Sequence, residues 1–273
     1  MNVDRILTSA RIRINEFPRR TLRDSYTAEN DDWKIPNTCY QTWVNHKFGR
    51  SHLAEIRRFR QQNSDLSFVL YNDVMLNKYM RESWGHHPIY KIFLNSKFGP
   101  MRADIFRYCI LYEKGGYYFD ISKGCNVSIR SMHSSQTEAI ISFENNNHHW
   151  EVSESISRKL DFPDNLVIQW GFGFAKGHLI LKRMIDSIVK NEARFLGKVF
   201  AVPKEAILDY TGPRGFTRVV HDSIGSLSNA TLIQAGVDFF GYGRYALKGS
   251  YVRYFTKKHY TEFSDSVILG DNF

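Results

Sequence analysis

The stretch Arg102-Ala-Asp-Ile-Phe-Arg-Tyr-Cys-Ile-Leu-Tyr-Glu-Lys-Gly-Gly-Tyr-Tyr-Phe-Asp-Ile-Ser122 decides the reading of this chain. Pro100 suits the first turn of a helix, where its missing N–H is no loss. Residues 101–114 continue that helix until Gly115-Gly116 stops it. Asp104 and Arg107 are three apart and share a helical face, which alone means an ion pair worth a few tenths of a kcal/mol. The double glycine lets the chain reverse and approach a ligand closely. A strand over Tyr117–Ile121 then ends in polar residues and delivers Asp120 at its carboxyl end, where open α/β sheets take ligands. An acid in that place suits a divalent cation bridging a diphosphate and neutralising its departing charge.

Working outward, Ile35-Pro36 leads into a β-branched and aromatic strand at Thr38–Val44. Ser51–Gln62 places Leu53, Ile56 and Phe59 on one helical face, and Ser67–Tyr71 is a second strand closed by an Asn72-Asp73 turn or cap. Strand, helix and strand in this order form a βαβ unit, which implies a parallel sheet with helices on its faces. Further strands are expected at Ala139–Phe143, in the glycine-broken run Leu166–Ala175, and in the alternating tail at Thr231–Phe240 and Ala246–Phe255; Leu179–Lys190 reads as a helix. With no repeats, low-complexity tracts or linkers, the pattern is one α/β domain over residues 33–273 behind an Arg-rich extension over residues 1–32. That extension reads as solvated, its apolar face being too short for a strong membrane-surface helix.

A chain of 273 residues with 42% hydrophobic content can bury a large core. Its net charge of +9 favours phosphates or anionic headgroups. Nucleic acid is not expected as a partner, because zinc-finger spacing, RNP-type motifs and dense basic tracts are missing. Cys39, Cys109 and Cys125 are too few and too scattered for a disulfide framework or zinc site, and read as buried free thiols. No apolar run approaches a membrane span and no signal-peptide core opens the chain, so the expectation is a cytoplasmic protein with at most peripheral membrane contact.

The quoted stretch resembles the core of glycosyltransferase family 32, the group related to yeast-type α-1,6-mannosyltransferases and bacterial capsule and lipopolysaccharide sugar transferases. More distantly it is similar to glucosylating clostridial toxins. The resemblance lies in an Ala-Asp-x-x-Arg-Tyr helix, a short apolar stretch, Gly-Gly-x-Tyr, and an Asp-x-Asp of which Asp120 is the first acid. Ile35-Pro-Asn-Thr-Cys-Tyr-Gln-Thr-Trp43 looks like the family's opening strand, and Phe174-Ala-Lys-Gly-His178 and Thr211-Gly-Pro213 match later blocks in order. The resemblance implies a GT-A fold, Rossmann-like and mostly parallel. It also implies a UDP- or GDP-linked sugar donor, Mn2+ or Mg2+, a glycan or glycolipid acceptor, and transfer with retention of configuration.

Residue by residue, it implies that Trp43 stacks on the nucleobase with Gln41 and Thr42 beside it. Asp104 and Arg107 order the donor sugar and diphosphate, with Tyr118 in the same donor-binding set, and together with Asp120, the first acid of the Asp-x-Asp position, they form the catalytic set. Ser122 stands where the second acid is expected, so a metal would rest on Asp120, Ser122 and a C-terminal His, for which His259 is the candidate. Lys123 and the pair Lys257-Lys258 offer positive charge to the diphosphate. The alternative is a non-catalytic nucleotide-sugar or glycan-binding protein on the same fold, with Ser122 as the mark of lost metal chemistry. The adjacent histidines of 85–88 and 145–150 point in different directions and are not read as metal sites. Gly171-Phe-Gly-Phe lacks dinucleotide-fingerprint spacing, and Glu144 is a minor candidate for acceptor contact.

Overall fold

A computed structural model of the chain describes residues 16, 19–28, 32–145, 152–227, 231–250 and 265–269. At its centre lies a six-stranded sheet built from β1 (Thr38–Thr42), β2 (Ser67–Tyr71), β3 (Gly116–Phe119), β4 (Ala139–Phe143), β5 (Gly171–Phe174) and β6 (Leu232–Val237). The strand order is β6-β4-β5-β3-β1-β2. Neighbours run parallel except at β5, which is antiparallel to both β3 and β4.

Seven helices of eight or more residues flank the sheet: α1 (Arg50–Gln62), α2 (Asp73–Trp84), α3 (Pro88–Asn95), α4 (Gly99–Lys114), α5 (Leu179–Asn191), α6 (Pro203–Tyr210) and α7 (Pro213–Ile224). Asn72 does cap α2, its side chain accepting from the Met75 N–H. His87 caps α3 in the same way through the Ile89 N–H, which accounts for one of the discounted histidines. The helices α2, α3, α6 and α7 are additional to those expected, although Pro88, Pro203 and Pro213 stand in the first turn of three of them and Asn72 caps the fourth.

Alternation along each strand feeds two cores. Tyr118 of β3 and Tyr40 of β1 join the larger core under α2 to α7. Tyr117, Phe119 and Cys39 face the opposite one, with Phe59 of α1. Opposite Tyr117 and Phe119 stand Gly173 and Gly171 of β5. A Cβ there would sit 2.6 and 2.7 Å from the two rings, so the glycines of this run are room for aromatic neighbours. Helix α4 is buried nearly all round, as its sequence of apolar residues on every side requires. The three cysteines are free and buried, and burial pushes the Cys39 thiol up to about 12.

Three expectations change. Strand β6 ends at Val237, and residues 238–240 turn into a left-handed conformation. Residues 246–250 form turns, because the chain there docks onto the segment after β3, with the Leu247 N–H donating to the Ser122 carbonyl at 2.8 Å. The remainder of that expected strand lies outside the described residues. Within the Arg-rich segment, Arg20–Thr21 pairs with Lys47–Phe48, Leu22 is buried, and Asp24 accepts from the Leu70 N–H at 2.9 Å. Among the described residues, no helix is long and apolar enough to cross a membrane.

Candidate functional site

The chain passes from β1 outward to β2, then returns to place β3 on the other side of β1. This reversal creates a switch point between the carboxyl ends of β1 and β3, where open α/β sheets leave a crevice. Trp43 follows β1 and Asp120 follows β3. The two strand ends are tied by Thr42 and Tyr118, whose hydroxyls are 3.0 Å apart.

Why Asp120 sits at a corner is local. Gly115 and Gly116 adopt φ of 68° and 106°, the left-handed reversal that joins α4 to β3 without a gap. Four residues later β5 ends the strand: the Asp120 N–H donates to the Trp170 carbonyl at 2.8 Å, and Lys123 N–H donates back to the Asp120 carbonyl at 2.8 Å, closing a turn. The Asp120 side chain is 33% exposed. Its Oδ1 accepts from Arg107 Nη2 at 3.1 Å and from the Tyr118 hydroxyl at 3.0 Å. Among the described residues its second oxygen accepts no hydrogen bond from the protein, and the partly exposed side chain leaves it open to solvent.

Behind Asp120 lies a buried polar chain. Arg107 also approaches Asp104 at 3.3 Å, donates to the Gln169 carbonyl at 2.9 Å, and stacks its guanidinium 4.5 Å from the Tyr118 ring centre. Asp104 accepts from the Thr211 hydroxyl at 2.9 Å, and Gln169 donates to Tyr108 and to the Thr211 carbonyl. Burial works against the charge of Arg107, but Tyr118, Asp120 and Asp104 together hold it firmly protonated. Asp104 and Arg107 are both buried, so in this geometry they fix the direction of Asp120 while Asp120 alone of the three reaches solvent.

Burial pushes the Asp104 carboxyl up to about 7, against the downward pulls of Arg107 and Thr211. The folded state therefore holds a proton that the unfolded chain has released by pH 5. The contribution is complete below the ordinary Asp range and is lost as pH rises toward 7. Stability of the wild type relative to Asp104→Asn is expected to fall by up to about 1.4 kcal/mol per pH unit across that window. Denaturant titrations from pH 4.5 to 8 check this, and a pH-independent difference between the two proteins would dismiss a titrating Asp104.

Gln41 does not join the crevice. It is buried and accepts from Arg60 Nη2 at 2.9 Å on the α1 side of the sheet. Trp43 is partly buried, with Phe48 stacked 5.9 Å away on one side and the His52 ring edge-on at 6.1 Å. Ser122 lies in the same turn as Asp120, and His259 lies outside the described residues.

Residues 49–158 match the family described as the glycosyltransferase sugar-binding region containing the DXD motif. That span contains Asp104, Arg107, Asp120 and Ser122 in the geometry above. By this match the segment is similar to the DXD-type glycosyltransferases. Its relatives include inositol phosphoceramide mannosyltransferase 3 of Schizosaccharomyces pombe, 24% identical over 67% of this chain and 44% of the relative. The initiation-specific alpha-1,6-mannosyltransferases of Schizosaccharomyces pombe and Candida albicans are each 25% identical, over 69% and 76% of this chain and 48% and 58% of the relatives. The chain thus spans roughly half the length of these relatives. Among solved structures, PaToxG Glycosyltransferase superposes with a TM-score of 0.50 at 13% identity, over 84% of this chain and 83% of that one, which supports the fold.

As a cation site, the end of this sheet is poorly equipped. The described residues bring no three His, Cys, Asp or Glu side chains together. Asp120 contributes one carboxylate already shared with Arg107, and it is followed in the chain by Ser122 and by Lys123, whose ammonium donates to the Tyr245 carbonyl. That donor set does not fit a divalent ion by itself, and no step below depends on one.

Three residues at this end of the sheet escaped the sequence reading. Gln169 and Trp170 precede β5 and reach the site only because β5 runs antiparallel beside β3. Asp238 follows β6 as Asp120 follows β3 and Glu144 follows β4, and burial raises its carboxyl above the usual range. The available signal was an acid directly after an apolar run.

Proposed function

We propose that this chain transfers a hexose from a nucleotide-sugar donor to a hydroxyl of a glycan or glycolipid, with retention of configuration. The observation that carries the reading is the Asp120 carboxylate at the switch point, held on one oxygen by Arg107 and Tyr118 and turned outward with the other. A carboxylate so held can accept hydrogen bonds from donor-sugar hydroxyls without reorienting, which is the preorganisation that lowers a transfer barrier. Trp43, at the next strand end, offers an aromatic face to the base, and Lys123 supplies a cation for the diphosphate. The relatives are mannosyltransferases, which makes mannose the first sugar to try.

In this scheme the acceptor hydroxyl attacks from the face the diphosphate leaves, and its proton passes to the departing phosphate oxygen. The protein positions the partners and balances charge; no side chain becomes a covalent nucleophile. Mn2+ or Mg2+ remains part of the proposal only with ligands beyond Asp120 and Ser122.

A thermal-shift panel of UDP, GDP and their hexose conjugates, each with and without Mn2+, tests the donor and the metal together. A ligand at a hundred times its Kd should add about 2.7 kcal/mol of apparent stability. Stabilisation by one nucleotide class together with release of free sugar or transfer product supports the proposal; a panel with no shift overturns it. Ser122 favours one second reading, a nucleotide-sugar or glycan-binding protein without turnover. That reading is met if the shift occurs with neither product nor a Mn2+ effect.

A further inference from the structure

Past β6 the chain does something rare for residues with side chains. Asp238, Phe239 and Phe240 have φ of 46°, 53° and 56°, three consecutive left-handed residues, flanked by Gly236 and Gly241 in the same region of φ. Such a run is costly for L-residues and persists only where the surroundings over-determine it. Here they do. The Phe239 N–H donates to the buried Ser142 hydroxyl at 2.7 Å, Gly241 N–H to the Val237 carbonyl at 2.9 Å, and Gly243 N–H to the Asp238 carbonyl at 2.7 Å. The Phe239 ring is fully buried against Trp170 and Phe119, with centroids 5.4 and 5.6 Å away.

The rest of the loop is stitched to the residues just after Asp120. Gly243 and Arg244 pair with Cys125 and Gly124, and Asn126 N–H donates to the Tyr242 carbonyl at 2.9 Å. Lys123 donates its ammonium to the Tyr245 carbonyl and lies 3.2 Å from the centre of the Tyr245 ring. On this rigid support three aromatic side chains face outward: Phe240 at 53% exposure, Tyr242 at 47% and Tyr245 at 67%. Large exposed aromatics grouped on one braced loop beside a reaction centre mark a binding surface.

The sheet order says what should bind. Trp43 follows β1 on one side of β3, whereas this loop arrives from β6 on the other. Donor base and loop therefore flank Asp120 from opposite sides, and the place opposite the donor is the acceptor's. An acceptor sugar also suits the chemistry: a pyranose offers an apolar C–H face to an aromatic ring and hydroxyls at its rim, and Tyr supplies both a ring and a polar tip.

We propose that Phe240, Tyr242 and Tyr245 form the platform on which the acceptor saccharide stacks. This rests on the transferase reading above for the word acceptor, but not for the saccharide contact itself. Saturation-transfer NMR on the full chain, with methyl α-D-mannopyranoside and methyl β-D-glucopyranoside as probes, tests it. The wild type should saturate the ring protons of at least one probe. The double variant Tyr242→Ala/Tyr245→Ala should bind that probe about tenfold more weakly, and Tyr242→Phe/Tyr245→Phe about as well as wild type. Both side chains are exposed, so melting temperature should be unchanged in either variant; Tyr242→Ala alone, which leaves the contact between Lys123 and Tyr245 in place, should also leave nucleotide-sugar binding unchanged.

Equal binding by the alanine variant, or no saturation of either probe by wild type, overturns the platform. So does loss of binding to phosphatidylglycerol vesicles in the alanine variant with saccharide binding intact, which would assign the rings to a membrane surface. Tyrosine-dependent saccharide binding by a wild type that ignores every nucleotide sugar would instead sink the transferase and leave the platform standing.

Discussion

Asp120→Asn is expected to lower kcat/KM for sugar transfer by about 10²- to 10³-fold, the loss that follows removal of one preorganised electrostatic group from a reaction centre. The amide keeps the size and one acceptor oxygen, so Tyr118 and Arg107 retain a partner and the fold should hold. What disappears is the charge and the second carboxylate oxygen, the one that the proposed mechanism assigns to the donor sugar. A companion effect identifies the mechanism. The charge of Asp120 helps to raise the Asp104 carboxyl, while Arg107 is divided between the two acids. With Asp120 neutral, Arg107 belongs to Asp104 alone, and the pH window over which stability declines should move to lower pH. Steady-state kinetics with the donor found in the thermal-shift panel, together with denaturant titrations of both variants against pH, check the pair of effects. Transfer at wild-type rate by Asp120→Asn would remove Asp120 from the reaction.

Gly116→Ala is expected to be the most damaging single methyl in the described core. A Cβ at Gly116 would stand 2.4 Å from the Thr38 carbonyl oxygen, a backbone atom of the central strand β1 that cannot move aside cheaply. The residue also holds φ of 106°, which alanine adopts only under strain. Steric overlap and backbone strain together should cost about 4 kcal/mol, a fall in Tm on the order of 10 °C for a chain of this size. Thermal melting followed by circular dichroism measures it. Gly177→Ala is the contrast: it too has positive φ, 73°, but nothing lies within 4 Å of a Cβ there, so only the backbone term applies. Equal losses at the two positions would mean that the contact with β1 is unimportant.

These effects bear on how the site is put together. Asp104, Arg107 and Asp120 act as one unit in which the two buried members aim the exposed one. The sequence reading treats them as separate donor contacts, whereas the structure joins them in one hydrogen-bonded cluster. Gln41 marks the limit of carrying a role along a motif: its neighbours Thr42 and Trp43 stand at the strand end, but alternation sends Gln41 to Arg60 on the α1 side.

What the sequence alone determined was the local part. The helix, double-glycine turn and short strand over residues 99–119 are set by a helix-starting proline, an uninterrupted run of residues that tolerate a helix, and left-handed glycines, all acting within a few residues. The first βαβ unit follows from the same local patterns, whereas the pairing of β3 with β1, which sets Trp43 and Asp120 at neighbouring strand ends, belongs to the tertiary structure. Tertiary structure decided the rest, because those contacts join residues with no local signature. Only the antiparallel insertion of β5 brings Gln169 and Trp170 to Asp120, and only the packing of α7's entry against α4 gives Asp104 its partner Thr211, 107 residues away. The left-handed turn at 238–240 is the clearest case: its local sequence favours a strand, and the Ser142 hydroxyl and the Trp170 and Phe119 rings overrule it.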